Sequence, residues 1–226
     1  MEILKLLSTI DVPISAARIQ GELNLPRSST YHLLAEMVDA GFVAHLPEHK
    51  TYGLGLAAYS MASAYVTQQP LVRMATRDLE QCAALVGGSG HLSRMAGSEI
   101  LYLQEVRAAG ATSLVTEVGV RLQAHKTASG RVMLAHLPDA EVRAAFDTAG
   151  GSGFAALKKR LSLVAARGWD QEIEEITRGQ ASVAAPILDH LDRPAAAVAV
   201  TYPVGTPDVK VDAAIRALLE VSDKVA

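Results

Sequence analysis

Two short runs hold the residue types from which recognition chemistry can be built. The first is Arg27, Ser28, Ser29, Thr30, Tyr31 and His32, a string of hydroxyl and basic side chains directly after Pro26. At the start of a helix such a run puts side chains within reach of base edges and turns open backbone amides toward phosphate oxygens. The second is Thr127, Ala128, Ser129 and Gly130, small residues at a helix start that leave amides accessible to a carboxylate. Ser129 fits there equally well as a plain helix-start residue. His125, just upstream, either donates to a ligand or pins its own loop to a backbone carbonyl.

Neither run is catalytic. The chain has no nucleophile elbow, Cys82 has no nearby His motif, and the acidic stretch 170–175 reads as a solvated helix start rather than an acid–base pair. The glycine cluster at 150–153 lacks a following Lys and Ser or Thr and follows no strand, so it reads as a surface loop and implies no nucleotide cofactor. His45 and His49 sit in a hairpin without a third partner, and no metal site is implied. The expectation is a binding protein, not an enzyme.

The elements that must position these runs follow from periodicity and capping. Ile3, Leu4, Leu6, Leu7 and Ile10 mark a first helix that opens without a capping residue, which reads as a truncated start. Ser15 caps a second helix over Ala16–Leu23, and Asn24-Leu25-Pro26 turns the chain. A third helix runs to about Ala40 with Leu33, Leu34, Met37 and Val38 expected inward, and Gly41 supplies a left-handed stop. Strands at 42–46 and Thr51–Leu54 then flank a hairpin tip, with Lys50 at its end. Two short helices, a tight turn and a hairpin make a winged helix-turn-helix, whose second helix enters the major groove of DNA while Arg18 and Lys50 meet the backbone.

Beyond a connecting helix at 56–69, bounded by Pro70, the pattern changes. An amphipathic helix (71–86) leads to strands at 91–96, 100–106 and 112–118, with Gly97-Ser98 as a hairpin turn. Helices at 127–137, 140–147 and 155–167, strands at 181–188 and 195–201, and a closing helix (211–225) complete an antiparallel sheet flanked by helices. The chain therefore reads as α+β, with a winged helix at 1–55, a connecting helix at 56–69 and a second domain at 70–226.

Composition narrows the partners. The chain has 226 residues, 50% hydrophobic and 20% charged, which excludes general disorder. Its longest apolar runs, such as 195–200, fall far short of the roughly 18 residues of a membrane helix. One cysteine forms no internal disulfide, so a reducing cytoplasm is the expected compartment, and Cys82 lies in an apolar-periodic run as a buried small hydrophobe. Residues 1–66 carry four basic side chains (Lys5, Arg18, Arg27 and Lys50) against six acidic ones. A single copy with that balance releases few counterions, so useful DNA affinity requires two or more copies. A winged helix that serves as a sensor or interaction module without reading DNA is the alternative.

Several separated stretches bear a likeness. Leu25-Pro26-Arg27-Ser28-Ser29-Thr30-Tyr31-His32-Leu33-Leu34, then Gly41-Phe42-Val43 and Tyr52-Gly53-Leu54-Gly55, resemble the IclR family of bacterial transcriptional regulators. So do Gly119-Val120-Arg121-Leu122-Gln123-Ala124-His125-Lys126-Thr127-Ala128-Ser129-Gly130-Arg131, the box Gly168-Trp169-Asp170-Gln171-Glu172-Ile173-Glu174-Glu175, slightly respaced, and Gly179-Gln180-Ala181-Ser182-Val183-Ala184-Ala185-Pro186-Ile187. The resemblance implies a GAF-like second domain that senses a small organic or aromatic acid, a double-stranded DNA operator, and a homo-oligomer (dimer or dimer of dimers). It also implies effector contacts from Asp170, Ser182 and Thr201, with Leu114 as an apolar wall, beside His125, Ala128, Ser129 and Gly130. Read without it, Asp170 suits a cap for a helix starting near Gln171, and Ser182 and Thr201 suit strand hydroxyls satisfied within the sheet. His32 stands where the family has Arg, Arg131 where it has Lys, and Ser182 where Cys is frequent. These departures bear on operator and ligand choice more than on fold.

Overall fold

The computed structural model describes residues 1–68, 70–111, 118–150 and 153–225. Its contacts divide the chain into two compact units, Met1–Gln69 and Pro70–Ala226. In the first, α1 (Glu2–Leu7), α2 (Ala16–Leu23) and α3 (Arg27–Asp39) enclose a core of Ile3, Leu7, Ile14, Ala16, Ile19, Leu34 and Val43. The Ser15 side chain accepts from the Arg18 amide at 3.3 Å, fixing where α2 begins, and Asn24 in the left-handed conformation ends it. Gly41 stops α3 with φ of 73°. Strands β2 (Val43–Leu46) and β3 (Thr51–Leu54) form the hairpin, and β1 (Ile14–Ser15) adds to β3, giving a three-stranded sheet. Helix α4 (Leu56–Gln68) follows.

The inner face of α3 is not the expected one. Leu33 and Val38 are exposed, and the buried positions are Thr30 and Leu34, with Met37 half-buried beside them. That spacing keeps one narrow stripe against the unit's core, and the Thr30 hydroxyl is accommodated there by donating to the Pro26 carbonyl at 3.0 Å.

In the second unit α5 (Pro70–Val86) precedes β4 (Ser89–Ala96) and β5 (Glu99–Arg107), joined through Gly97 at φ of 70°. A short β6 (Arg121–Gln123), absent from the sequence reading, leads into a 3-10 turn (Ala124–Lys126) and α6 (Ala128–Leu134). Of the expected strand at 112–118 only Val118 is described, and it lies in a turn. Then come α7 (Asp139–Thr148), α8 (Phe154–Arg167), β7 (Asp170–Ile173), β8 (Gln180–Leu188), β9 (Pro194–Pro203) and α9 (Asp208–Val225). The six strands are antiparallel in the order β6-β5-β4-β9-β8-β7. Helices α5 and α9 pack together on the sheet, while α6 contacts β7, β8 and β9 and is backed by α8. The central strands are buried almost throughout and rich in Ala (Ala184, Ala185, Ala196, Ala197 and Ala199), small side chains that let helices come close. Cys82 is buried, and burial pushes its thiol up to about 11, the state of an inert core sulfur.

The acidic stretch at 170–175 forms an edge strand and its turn, not a solvated helix start. Asp170, expected as a helix cap or effector contact, is fully buried among three guanidinium groups. Arg131 Nε donates to it at 2.5 Å, Arg167 Nη2 at 2.6 Å, and Arg160 Nη2 lies at 3.4 Å. Arg131, itself buried, also reaches Glu175 at 3.1 Å and the His125 carbonyl at 3.2 Å. The cluster ties α6, α8 and β7 together, so Asp170 is a structural anchor. Asp170→Asn removes the one fully buried anion of this cluster and should cost about 3 kcal/mol. The expected readout is an earlier denaturant midpoint in the fluorescence of Trp169, the chain's single tryptophan.

Candidate functional site

On α3 the side chains of Arg27, Ser28, Ser29, Tyr31 and His32 are all exposed, with the Arg27 guanidinium 5.9 Å from the centre of the Tyr31 ring. Pro26 provides no side-chain cap, so the first-turn amides of this 13-residue helix stay open. Thr30, expected among the reading residues, is turned inward as described above. Arg18 is exposed on α2 with Glu22 at 3.6 Å, and Lys50 lies exposed at the hairpin tip.

The second unit holds a cleft between α6 and the sheet. Strand alternation builds its floor: Ser89, Thr201, Ser182 and Glu172 are successive cross-strand partners over β4, β9, β8 and β7, so they share one face in a single row, of which Thr201, Ser182 and Glu172 line the cleft. Thr201 Oγ1 and Ser182 Oγ are 2.9 Å apart, and Ser182 donates to Glu172 Oε1 at 2.7 Å. The Glu175 amide donates to Glu172 Oε2 at 2.9 Å. Burial pushes the Glu172 carboxyl above the usual carboxylate range, opposed by these two hydrogen bonds. His91, one step along β4 from Ser89, faces the same cleft with Tyr102 edge-on at 5.3 Å between ring centres. The free volume within the cleft is about 20 Å3, room for a water molecule.

Of the residues expected here, Ala128, Ser129, Ser182 and Thr201 line the cleft. Gly130 does not. Its amide donates to the Thr127 hydroxyl at 2.9 Å, and a Cβ at that position would run into the Ala124 carbonyl, so this glycine serves close packing. His125 sits on the 3-10 turn with its ring against Phe146 at 5.1 Å, and it is its backbone carbonyl, not its ring, that bonds, accepting from Arg131. Leu114 lies outside the described residues. The sequence reading missed Glu172, His91 and Tyr102. A two-residue alternation through Asp170, Glu172 and Glu174 was the available signal for the first, and His91 in an apolar strand was the signal for the second.

His91 is buried, and among the described residues neither ring nitrogen has a partner. The charged and titratable groups around it are Glu105 and Arg107, which pair with each other at 2.8 and 2.9 Å, together with Tyr102 and, across the cleft, Glu172. Burial pulls its pKa down to about 4, with Glu105 opposing. The unfolded imidazole titrates near 6.5, so as pH falls from about 6.5 toward 4 the unfolded chain takes up a proton that the folded chain does not, and stability is lost in that window. In His91→Asn the stability lost between about pH 7 and about pH 4.5 should be smaller by roughly 2–3 kcal/mol, measured by urea titration at each pH.

Comparison with known proteins agrees with this arrangement. The family described as the bacterial transcriptional regulator IclR C-terminal domain matches residues 63–226, and the IclR helix-turn-helix domain matches residues 1–47. The glycerol operon regulatory protein of Streptomyces griseus is 29% identical over 94% of this chain and 89% of its own length. An IclR transcriptional regulator of Alicyclobacillus acidocaldarius superposes with a TM-score of 0.84 at 20% identity, over 99% of this chain and 94% of that one. An IclR homolog from Microbacterium hydrocarbonoxydans, solved as a complex with 4-hydroxybenzoate, superposes at 0.78 with 20% identity, over 99% and 95% of the two chains. Both family matches fall on the units that carry the exposed helix and the cleft, in the same order along the chain, and together they cover nearly all of it: this protein belongs to the IclR family of bacterial transcriptional regulators.

Proposed function

We propose that the chain works as a homo-oligomer, a dimer or dimer of dimers, on a palindromic operator in double-stranded DNA, and that a small organic or aromatic acid in the α6 cleft adjusts its DNA affinity. The observation that carries this reading is the pairing of an exposed, polar, basic-tipped α3 with a separate unit that encloses a polar cleft. Arg27, Ser28, Ser29, Tyr31 and His32 supply the groove contacts, and Arg18 and Lys50 the backbone contacts. The relative solved with 4-hydroxybenzoate supports an acid as the ligand class. Ala128, Ser129, Ser182 and Thr201 contribute to its binding.

Oligomerisation follows from charge. Four basic side chains against six acidic ones in residues 1–66 give one copy little hold on phosphates. Helix α4 exposes Leu56, Tyr59, Met61 and Tyr65, apolar surface that a second copy would cover. An effector changes DNA affinity only through differential binding to conformers that space the paired α3 helices differently.

Fluorescence anisotropy with the DNA upstream of the protein's own coding region tests the scheme. Affinity should fall by at least about tenfold between about 50 and 200 mM salt. Arg27→Ala should weaken binding by about tenfold, as for loss of one charge-assisted contact. A chain that stays monomeric in sedimentation at micromolar concentration, or DNA binding indifferent to salt, overturns the reading.

A further inference from the structure

The cleft described above contains only one charged side chain among its described lining residues, and it is an acid. Glu172 accepts from Ser182 at one oxygen and from the Glu175 amide at the other. With Glu172 ionised, the single hydroxyl hydrogen of Ser182 is spent on that carboxylate, so Thr201 must donate to Ser182. Thr201 then has lone pairs left for a ligand and no proton. The Thr201–Ser182–Glu172 row itself therefore offers a ligand acceptors and a negative charge, while the remaining polar lining side chains, Tyr102, Thr127, Ser129, Thr177 and Gln180, are neutral.

The adjacent row, in which His91 pairs with Ala199, differs. His91 is 1% exposed, and both of its ring nitrogens lack partners among the described residues. A buried polar group of this kind costs free energy unless something else satisfies it. No lysine or arginine lines the cleft among the described residues, and the nearby Arg107 is held bidentately by Glu105. His91 is therefore the one described lining side chain that can become a cation opposite an acid.

Resting on the reading of the cleft as an acid-sensing site, we propose that His91 receives the carboxylate of the effector and that the Thr201–Ser182–Glu172 row receives a hydroxyl, so that the occupant is a small hydroxy acid. On binding, one proton passes from solvent to the imidazole, giving an imidazolium–carboxylate pair, and the ligand hydroxyl donates to Thr201 Oγ1. The other groups around the ring are Tyr102, the Glu105–Arg107 pair and Glu172 across the cleft. None of them supplies a free cation. His91 thereby becomes a specificity-determining residue, and Thr201 the residue that separates hydroxylated from plain acids.

Calorimetry of the full chain with matched ligands tests both parts, using lactate against propionate and 4-hydroxybenzoate against benzoate, each in two buffers of different ionisation enthalpy. The hydroxylated member of at least one pair should bind about tenfold or more tightly than its partner. Its binding should take up about one proton. His91→Asn, checked for folding by its thermal melt, should lose the proton uptake and about tenfold or more in affinity. Thr201→Val should level the pair while keeping the uptake. Equal binding of the plain and hydroxylated acids, or unchanged uptake in His91→Asn, overturns the proposal and leaves the acid-sensing reading in place. Failure of all four acids to bind the unaltered protein overturns that reading and the proposal with it.

Discussion

The buried guanidinium of Arg131 is the constraint from which the cleft of the second unit follows. It projects from α6 into a site fully closed to water, and a charge there is tolerable only with ionic and hydrogen-bonding partners on several sides. Asp170, Glu175 and the His125 carbonyl provide them, and Arg160 and Arg167 of α8 close the cluster from behind. A short edge strand such as β7, paired along only one side, has little to hold it in register on its own. Pinning Asp170 fixes that register. Because side chains on a strand alternate, the same act sends Glu172 to the cleft, in line with Ser182 and Thr201. The ion cluster therefore decides which acid of the stretch faces the cleft.

The cleft is made by the contrast between this polar row and the row beside it. One step along the strands the partners of His91 are Ala199 and, beyond it, Ala184, small residues over which α6 packs closely. Gly130 permits the same approach from the helix side, where any side chain would strike the Ala124 carbonyl. Tight packing and a polar floor thus come from neighbouring rows of one sheet.

Much of this architecture was legible in the sequence because it rests on local chemistry. Ser15 as a cap, Asn24-Leu25-Pro26 as a turn, Gly41 as a left-handed stop, and Gly97-Ser98 as a turn act through near neighbours, and most of the helices and strands between them fell close to their expected bounds. What was not legible depends on distant partners. Asp170 looked like a cap or a ligand contact because its three arginines lie on α6 and α8, and nothing local in the stretch 170–175 announces that it will pair with β8. Leu33 and Val38 were expected inward from their apolar character alone. The stripe that packs is set by the angle at which α3 meets the core, and it admits the hydroxyl of Thr30 because the Pro26 carbonyl satisfies it. The short strands β1 and β6 carry too few residues for a periodic signal.

A ligand shifts an equilibrium only by binding one conformer better than another, so what matters is how the elements around the cleft are joined. The parts that bound the space are α6, the row through Glu172 on β7, and His91 on β4. Two of these elements, α6 and β7, are bound to each other by Arg131, so a ligand that displaces one must carry the other with it or strain a buried ion pair. A buried network with discrete partners does not deform gradually. Helix α6 and strand β7 are therefore one joined element along the cleft rather than the two sides of a loose loop.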